Sequence, residues 1–386
     1  MKSQKPILVI TLFVLLLAAC STGGSSPVQT AEEAAATEVE QTMQVEQTLE
    51  EKAAQISLTD ASGNNLSFEG PPQRIVVAGK AGQLILHSAY LFPEANERVV
   101  AMEQRLQRDI SMLPLVDPKL DEKTQLEKDA AAEQIAPSQP DAVLMKTYMA
   151  DGLGEPLEAL GIPVVYFDLE TPEQFTRDIQ VLGNLLDNPE RAEQVLSFYQ
   201  DRLDGVEAGL DGLAPDEQPG VLLIQYDSRG GEIAFKVPPV EWLQTMMVEL
   251  AGGEPVWLEA AEGGGWTVVN FEQIAAWNPE MIILVDYFSN PEEVIAGLVQ
   301  DEKWQALKAV QEEKIYGFPS DFLSWDQPDP RWILGLEWLA TVIHPERFES
   351  LDMLDELKTF YSEMYGLDAD VVEKEVLPLV SGDIDL

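Results

Sequence analysis

Two blocks of short, continuous apolar runs, each alternating with helix-patterned segments, constrain this fold most strongly. The first block runs through RIVVAG (74–79), ERVVAM (97–102), DAVLMK (141–146) and PVVYFD (163–168). The second runs through GVLLIQYD (220–227), EMIILVD (280–286) and KIYGFP (314–319). Unbroken apolar runs between helices are typical of parallel strands buried on both faces. The pattern predicts an α/β protein with two Rossmann-like lobes.

A repeated string supports this division. EQIAPSQPDAVLM (133–145) returns as EQIAAWNPEMIIL (272–284), 139 residues further on. Each copy reads as a short helix that turns through proline into a buried strand, in two similarly built lobes. The alternative explanation is that the two strings match by chance, because connections from a helix to a strand share residue preferences. The predicted organisation is an N-terminal lobe, a helical bridge divided at Asn188-Pro189, a C-terminal lobe and terminal helices, over residues 56–170, 171–213, 214–348 and 349–386.

The N-terminus has the pattern of an export signal. Lys2 and Lys5 precede an apolar run over 6–19, which is short for a membrane span. The sole cysteine, Cys20, follows Leu-Ala-Ala, and this end resembles a bacterial lipobox. The resemblance implies a signal peptide over 1–19 and a lipid on Cys20; an ordinary signal with a coincidental cysteine is the alternative. Residues 20–55 are acidic and poor in large apolar side chains, which predicts a disordered tether.

Composition excludes several functions. The formal net charge is -44, with 24 Lys and Arg against 68 Asp and Glu, so no nucleic-acid partner is expected. Only two histidines occur, His87 and His344, far apart and without a cysteine partner, so neither a metal site nor a resident cofactor is expected. We find no motif for a catalytic nucleophile, and we expect no enzyme.

Ligands of open α/β sheets bind beyond the carboxyl ends of the strands. Scarce basic residues and aromatic residues fall at these predicted ends, which indicates a positive, aromatic-lined cleft for an anionic ligand with flat faces. Pairing of each base with a neighbouring carboxylate is the alternative. The candidate ligand-binding residues are Lys80, Arg105, Lys146, Tyr148, Tyr226, Arg229, Tyr287, Phe322, Trp325 and Arg331.

Several segments, in this order, resemble the solute-binding lipoproteins of ABC importers, within the iron-siderophore and cobalamin class. They are RIVVAGKAG, the two Glu-Gln-Ile-Ala strings, TRDIQVLGNLLDNPERAEQVLSFYQDRL and SDFLSWDQPDPRWILGLEWLATVIHPE. The resemblance covers about residues 74–365. The sequence differs from this class in two places. Residues 103–129 lack the glycine-rich segment that usually precedes the first Glu-Gln-Ile-Ala string, and Pro137 lies inside a predicted helix.

The resemblance implies a fold like class III periplasmic binding proteins, with the ligand cleft between lobes. It implies an extracytoplasmic receptor that holds a ferric chelate and docks on an ABC permease dimer with its ATPase through Glu133 and Glu272. It also implies attachment to the membrane through Cys20. Cobalamin, haem or an oxyanion such as molybdate are alternative cargoes. A sensor or enzyme ectodomain on the same fold is the alternative from another class.

Overall fold

The computed structural model describes residues 55–103, 110–229, 231–261 and 263–385. Two separate sheets follow a short N-terminal hairpin, β1 and β2. The first sheet is fully parallel in the order β5-β4-β3-β6-β7, and the second has the order β11-β9-β8-β12-β13, with β10 also beside β8. The strands are β1 Ile56–Thr59, β2 Asn65–Phe68, β3 Ile75–Val77, β4 Val99–Met102, β5 Thr124–Gln125, β6 Ala142–Lys146, β7 Val164–Phe167, β8 Gly220–Asp227, β9 Ala234–Val237, β10 Glu254–Pro255, β11 Thr267–Val269, β12 Met281–Val285 and β13 Ile315–Gly317.

Helices cover these sheets and form the remainder of the described chain. They are α1 Gly82–Ala89, α2 Ala95–Arg98, α3 Leu113–Val116, α4 Ala132–Ile135, α5 Glu155–Ala159, α6 Pro172–Leu185, α7 Pro189–Gly209, α8 Leu243–Leu250, α9 Phe271–Trp277, α10 Pro291–Leu298, α11 Lys308–Gln311, α12 Trp332–Ile343, α13 Met353–Tyr365 and α14 Ala369–Val371. Single 3₁₀ or π turns occupy Leu120–Glu122, Ala136–Ser138, Thr147–Met149, Ala150–Gly154, Pro215–Glu217, Leu258–Ala260, Trp304–Ala306, Val372–Val376 and Leu377–Leu379.

The two sheets confirm the predicted fold class. Every residue of β3, β6, β7 and β12 is buried, as expected for strands covered on both faces. We call the unit around β3–β7 the first lobe and the unit around β8–β13 the second lobe. The exact lobe and tether boundaries drawn from the sequence stay predictions.

The predicted break between the bridging helices lies at Asn188. Helix α6 begins with a capping bond from the Gln174 amide to the Thr171 hydroxyl (3.2 Å), and α7 begins with one from the Arg191 amide to the Asn188 side chain (3.0 Å). Proline occupies the first turn of both helices, where its missing N–H is harmless. With 21 residues, α7 is about 31 Å long, enough to run from one lobe to the other.

The repeated string has the same structural role in both lobes at its helix start. The Gln134 side chain accepts a hydrogen bond from the Ala131 amide (2.9 Å), and Gln273 accepts one from the Asn270 amide (3.0 Å). This contact satisfies an otherwise unpaired donor at the beginning of each short helix. In the second lobe it is reciprocal, because the Gln273 amide also donates to the Asn270 side chain (2.8 Å). The isoleucine of each string is fully buried and anchors its helix on the sheet.

The end of each string is also equivalent. Gln139 and Asn278 adopt left-handed backbone angles (φ 48° and 44°) immediately before proline, where Gln139 ends the 3₁₀ turn after α4 and Asn278 ends α9. The next residues, Asp141 and Glu280, begin the following strand by donating their backbone amides to carbonyls of the neighbouring strand segment (both 2.8 Å). The repeat therefore encodes one helix-to-strand turn, built twice.

Parts of the predicted architecture were wrong in detail. The second sheet is mixed, because β9 and β11 add an antiparallel pair at one side of β8. The sequence reading placed β10 and β11 in a loop, since they have only two and three residues. The helix expected near 129–138 is shorter: α4 ends at Ile135, and a 3₁₀ turn containing Pro137 follows.

Several predictions fall outside the described residues. They concern the signal peptide over 1–19, Cys20 and the tether over most of 20–55, together with Arg105. Across the described ranges, no helix combines the length and apolar character needed to cross a membrane.

Candidate functional site

Segments that follow the carboxyl ends of both sheets contact one another. His87, on the helix after β3, bonds to Asp329, beyond β13 (2.5 Å). The side chain of Arg331 reaches the Met112 sulfur in the first lobe. Burial and then the Asp326 carboxylate raise the pKa of the Tyr287 phenol, after β12, and Glu170, after β7, adds to this rise. The two sets of strand ends therefore share one crevice, as the predicted fold requires.

A row of aromatic rings lies on the second lobe and includes the residues that directly follow β12. Trp242 lies 5.9 Å from Trp266, which lies 6.2 Å from Tyr287, which lies 6.4 Å from Phe288, all measured between ring centroids. The pairs are edge-to-face, a favourable geometry for aromatic side chains. We call these four residues the aromatic row. Phe288 is 41% exposed at one end.

Arg229 extends the aromatic row with a positive charge. Its guanidinium stacks 3.9 Å from the Phe288 ring centroid and is paired in bidentate fashion with Asp227 (3.0 Å for both contacts). The Lys236 ammonium also bonds to Asp227 (2.6 Å). Hydrogen bonds from Arg229 and Lys236 hold the pKa of Asp227 well below its usual range. Two cations share one carboxylate, so this corner has one unit of excess positive charge.

A buried carboxylate supports the aromatic row from behind. Asp326 is fully buried and accepts hydrogen bonds from the Tyr287 hydroxyl (2.7 Å), the Gln244 amide (3.2 Å) and the Ser324 hydroxyl (2.6 Å). Burial raises the pKa of Asp326, whereas the three donors oppose that rise. Because its hydroxyl donates to Asp326, Tyr287 has a fixed ring orientation.

The first lobe contributes Lys80 and Tyr148. Lys80 is exposed, and Tyr148, 58% exposed, donates its hydroxyl to the Lys80 carbonyl (3.1 Å). The Gly79 amide, just before them, donates to the buried Glu103 carboxylate (2.9 Å). Gly79 has φ 88°, a conformation that favours glycine, and a Cβ there would lie 3.3 Å from the Met149 side chain. Lys80 thus lies beyond the end of β3 and Tyr148 beyond the end of the neighbouring strand β6.

Lys146 is placed differently from the expectation. It is 1% exposed, pairs with Glu170 (2.7 Å) and donates to the Asp168 carbonyl. Leu169, between these partners, adopts φ 60°, and its amide is held by Asp178 (2.9 Å). Lys146 therefore fixes the loop that carries Glu170 rather than offering an open cation, as the alternative of carboxylate pairing foresaw.

Three further candidates lie in the interior. Phe322, Trp325 and Arg331 are 4%, 0% and 0% exposed, so the structure places them below the surface rather than on an open one. The Arg331 guanidinium is paired with Asp321 (2.9 Å) and with Asp329 (2.5 Å). It lies at the contact between lobes, where its charge is already neutralised.

Arg331 belongs to a buried group that we call the interlobe network, made of His87, Asp321, Asp329, Arg331 and Tyr361. The Tyr361 hydroxyl, on α13, donates to Asp321 (2.5 Å). Burial opposes ionisation of Asp329, but Arg331 and His87 lower its pKa to about 2. The network joins both lobes and the C-terminal helix through charge-assisted bonds.

Tyr226 packs away from the other candidates. Its ring contacts Phe235 (5.9 Å between centroids), which in turn contacts Trp304 (5.0 Å) in the apolar core. Alternate strand residues point to opposite faces, and Tyr226 therefore lies on the other face of the sheet from Gln225 and Asp227. The sequence reading placed it at the strand end without resolving its face.

The two candidate docking residues are both on the surface. Glu133 and Glu272 are exposed in the first turns of α4 and α9, at equivalent positions of the repeat.

Within the described residues, no group of three or more His, Cys, Asp or Glu side chains is arranged to hold a metal ion.

Sequence reasoning missed Trp242, Trp266, Asp326 and Glu170. Trp266 follows the glycine run at 263–265, in a segment read as a loop. Its neighbour β11 could have been found from the Thr-Val-Val run, whose β-branched residues favour strands. Asp326 gave no signal, because its role depends on Tyr287, 39 residues earlier.

Two α/β lobes joined by long helices, with both sets of strand ends facing one crevice, define a two-lobe binding protein. A family model described as periplasmic binding protein matches residues 109–322, more than half of the chain. The chain therefore belongs to the periplasmic binding protein family and is an extracytoplasmic solute-binding receptor of an ABC importer, which works with a permease and an ATPase.

Similar proteins agree with this assignment. The molybdate-binding protein MolA of Haemophilus influenzae is 23% identical over 258 residues, covering 60% of this chain and 69% of MolA. A periplasmic solute binding protein from Veillonella parvula is 25% identical, with a TM-score of 0.65 over 81% of this chain and 94% of that one. Helicobacter pylori CeuE with bound Ni(II) shares the fold, with 22% identity and a TM-score of 0.64 over 83% of this chain and 99% of CeuE.

Proposed function

We propose that this receptor captures a ferric chelate in the crevice between its lobes and delivers it to the permease without catalysing a reaction. The aromatic row with Arg229 at its exposed end is the observation that carries the proposal. Chelators of iron commonly combine flat or partly apolar groups with negative charge. Rings and a stacked guanidinium bind such surfaces by apolar contact and charge together.

Molybdate is the second candidate, because the relative MolA is described as molybdate-binding. A compact tetrahedral oxyanion needs several donors that converge on a small polar space. The buried basic side chains near the crevice, Lys146 and Arg331, are already neutralised by carboxylates. This pairing favours the larger, flatter cargo. Haem and cobalamin present flat faces as well and belong in the same test.

Cargo binding is measured by tryptophan fluorescence of the protein from residue 21 onward, titrated with ferric siderophores, cobalamin, haem and molybdate. We expect saturable quenching by a ferric chelate, because Trp266 lies in the aromatic row. Phe288→Ala removes an exposed stacking surface, and we expect an about tenfold weaker affinity, equivalent to about 1.4 kcal/mol. Leu160→Ala removes a similarly exposed apolar side chain elsewhere (53%) and should leave affinity unchanged. Quenching by molybdate alone would overturn the proposed cargo.

We propose that Glu133 and Glu272 bind arginines of the permease. Two equivalent carboxylates on two similarly built lobes suit a dimeric partner with matching symmetry. The double variant Glu133→Arg with Glu272→Arg is expected to reduce cargo uptake by cells at least tenfold and to leave cargo affinity intact. Glu173→Arg with Glu190→Arg makes the same charge change at exposed first-turn glutamates of α6 and α7. Equal loss of uptake in both double variants would argue against specific docking.

We propose that a lipid on Cys20 anchors the receptor to the membrane. The export-signal pattern before this sole cysteine supports the proposal. Cys20→Ser removes the acceptor sulfur, so the protein should move from the membrane fraction to the released fraction on cell fractionation. Undiminished membrane retention of the variant would exclude lipidation at this position.

A further inference from the structure

A second cavity lies away from the crevice, where three helices meet. The bridging helix α7, helix α12 and the C-terminal helix α13 surround a space of about 430 Å³. Arg202 of α7, Glu337 of α12 and Glu356 of α13 all line it. None of these residues belongs to the cargo site proposed above, so the cavity requires its own explanation.

The polar groups of this cavity are incompletely paired. Arg202 bonds to Glu356 (2.7 Å between Nη2 and Oε2), and its guanidinium covers the Phe198 ring. Its Nε atom lies 3.8 Å from Glu337 Oε2, too far for a hydrogen bond. Both of these atoms are buried without a hydrogen-bond partner among the described residues, and Glu337 is only 3% exposed. Unpaired buried polar atoms are costly and are normally satisfied by a partner.

The charge in the cavity is also unbalanced. One guanidinium lies between two carboxylates, so the Arg202, Glu337 and Glu356 group has one unit of excess negative charge when all three are ionised. The other charged lining residues, Asp201 of α7 and Arg347 beyond α12, offset each other. Arg347 donates to the carbonyls of Gly209 and Asp211 (3.3 Å and 3.2 Å) and lies 3.9 Å from the Glu217 carboxylate. One additional positive charge would neutralise the site whenever Glu337 is ionised.

The remaining lining is largely apolar, and Ser350 is its one further polar side chain. Val206, Phe348 and Leu351 contribute hydrocarbon surface. Gly205 leaves space on α7, since a Cβ built there would meet no atom within 4 Å. This combination of a buried acidic end and an apolar channel suits a molecule that carries its positive charge at the end of a short hydrocarbon stem.

We propose that this cavity binds a small aliphatic ammonium ion, with the ammonium group at Glu337 and Glu356 and the stem along Gly205, Phe348 and Leu351. An ammonium has three donors and would satisfy the unpaired Glu337 oxygen. Its binding would connect the bridging helix to the C-terminal helices. The site lies outside the crevice and does not depend on the identity of the cargo.

Proton linkage gives the proposal a specific signature. Burial first, and then the Glu356 carboxylate, raise the pKa of Glu337 to about 8, while Arg202 opposes this. At neutral pH the carboxyl therefore holds a proton, which an ammonium ion must displace. Affinity is expected to rise about tenfold per pH unit below pH 8 and to level off above it. The charged side chains of Asp201, Arg202, Arg347 and Glu356 face the same space.

Calorimetric titration of the mature chain with n-butylammonium tests the proposal at pH 6.5, 7.5 and 8.5. We expect saturable binding that strengthens with pH and releases a proton below pH 8, detected by comparing two buffers of different ionisation enthalpy. Butanol and tetramethylammonium are probes that lack the charge or the N–H donors, and they should not bind. Glu337→Gln should abolish binding, whereas Glu363→Gln, an exposed change on α13, should not.

Each remaining outcome overturns the proposal. Absence of binding to the wild-type chain at every pH would leave the cavity without an ammonium ligand. Binding that survives Glu337→Gln would place the ion elsewhere on this acidic surface. Equal binding of tetramethylammonium would indicate non-specific counter-ion attraction. Circular dichroism of Glu337→Gln confirms that the variant is folded, so that loss of binding reports on the site itself.

Discussion

Replacing Arg331 with methionine is expected to lower the free energy of unfolding by about 3–5 kcal/mol, because it leaves buried carboxylates without their cation. Asp321 and Asp329 are both fully buried, and Arg331 contacts each of them directly. Folded proteins of this kind are stable by only about 5–15 kcal/mol, so the loss would be a large share of the total. Urea denaturation followed by tryptophan fluorescence measures it.

Arg229→Met is the matched control for this variant. Arg229 also pairs with an aspartate in bidentate geometry, but its side chain is 60% exposed. Exposed ion pairs contribute about 0–1 kcal/mol, so the control should unfold at nearly the wild-type urea concentration. Equal effects of the two substitutions would show that the interlobe network contributes no more than a surface pair. The double substitution Asp321→Asn with Arg331→Met should recover part of the lost free energy of unfolding, because it removes one of the two buried carboxylates left without a cation.

Glu337→Gln is expected to stabilise the protein at pH 8 and to have little effect near pH 4.5. The folded state raises the pKa of Glu337 to about 8, so it binds the proton more tightly than the unfolded chain does. Stability from this group is fully present below the unfolded pKa and is lost as pH rises to about 8, by a few kcal/mol. Glutamine keeps the shape without titrating.

The test compares the free energy of unfolding of wild type and variant at several pH values between 4.5 and 8.5. The difference between the two proteins should grow through this window and become constant above pH 8. Glu363→Gln, on the exposed face of α13, should follow the wild-type curve throughout. A constant difference at every pH would mean that Glu337 is already ionised at neutral pH in the folded protein.

The fold could be predicted from the sequence wherever a local pattern of residues determines a single local structure. The run GVLLIQYD became β8 over all eight residues, because its apolar stretch 221–224 is typical of a strand that is buried on both faces. Asn188-Pro189 divided the bridge, because proline begins a helix and the residue before it leaves helical geometry. The repeated Glu-Gln-Ile-Ala strings predicted equivalent turns because their capping contacts are local.

The site was less accessible, because it is made by contacts between distant segments. The pattern of bases at strand ends could not distinguish exposed Lys80 from buried Lys146, whose partner Glu170 lies 24 residues later. Arg331 and Arg229 both follow a predicted strand end, so the sequence pattern treated them alike. In the structure Arg331 is buried between two aspartates, whereas Arg229 is exposed. In a chain with 68 acidic residues, local sequence cannot determine which base remains free.

The interlobe network has a mechanical consequence for transport. Separating the lobes would pull His87 from Asp329 and expose a charged cluster that also holds α13 through Tyr361. Wide hinge opening would therefore cost several kcal/mol, and the two halves should travel as one nearly rigid body. A transporter that receives such a receptor must sense whether it is loaded from the rim of the crevice, through the cargo and the few side chains around it, rather than from a large change of shape.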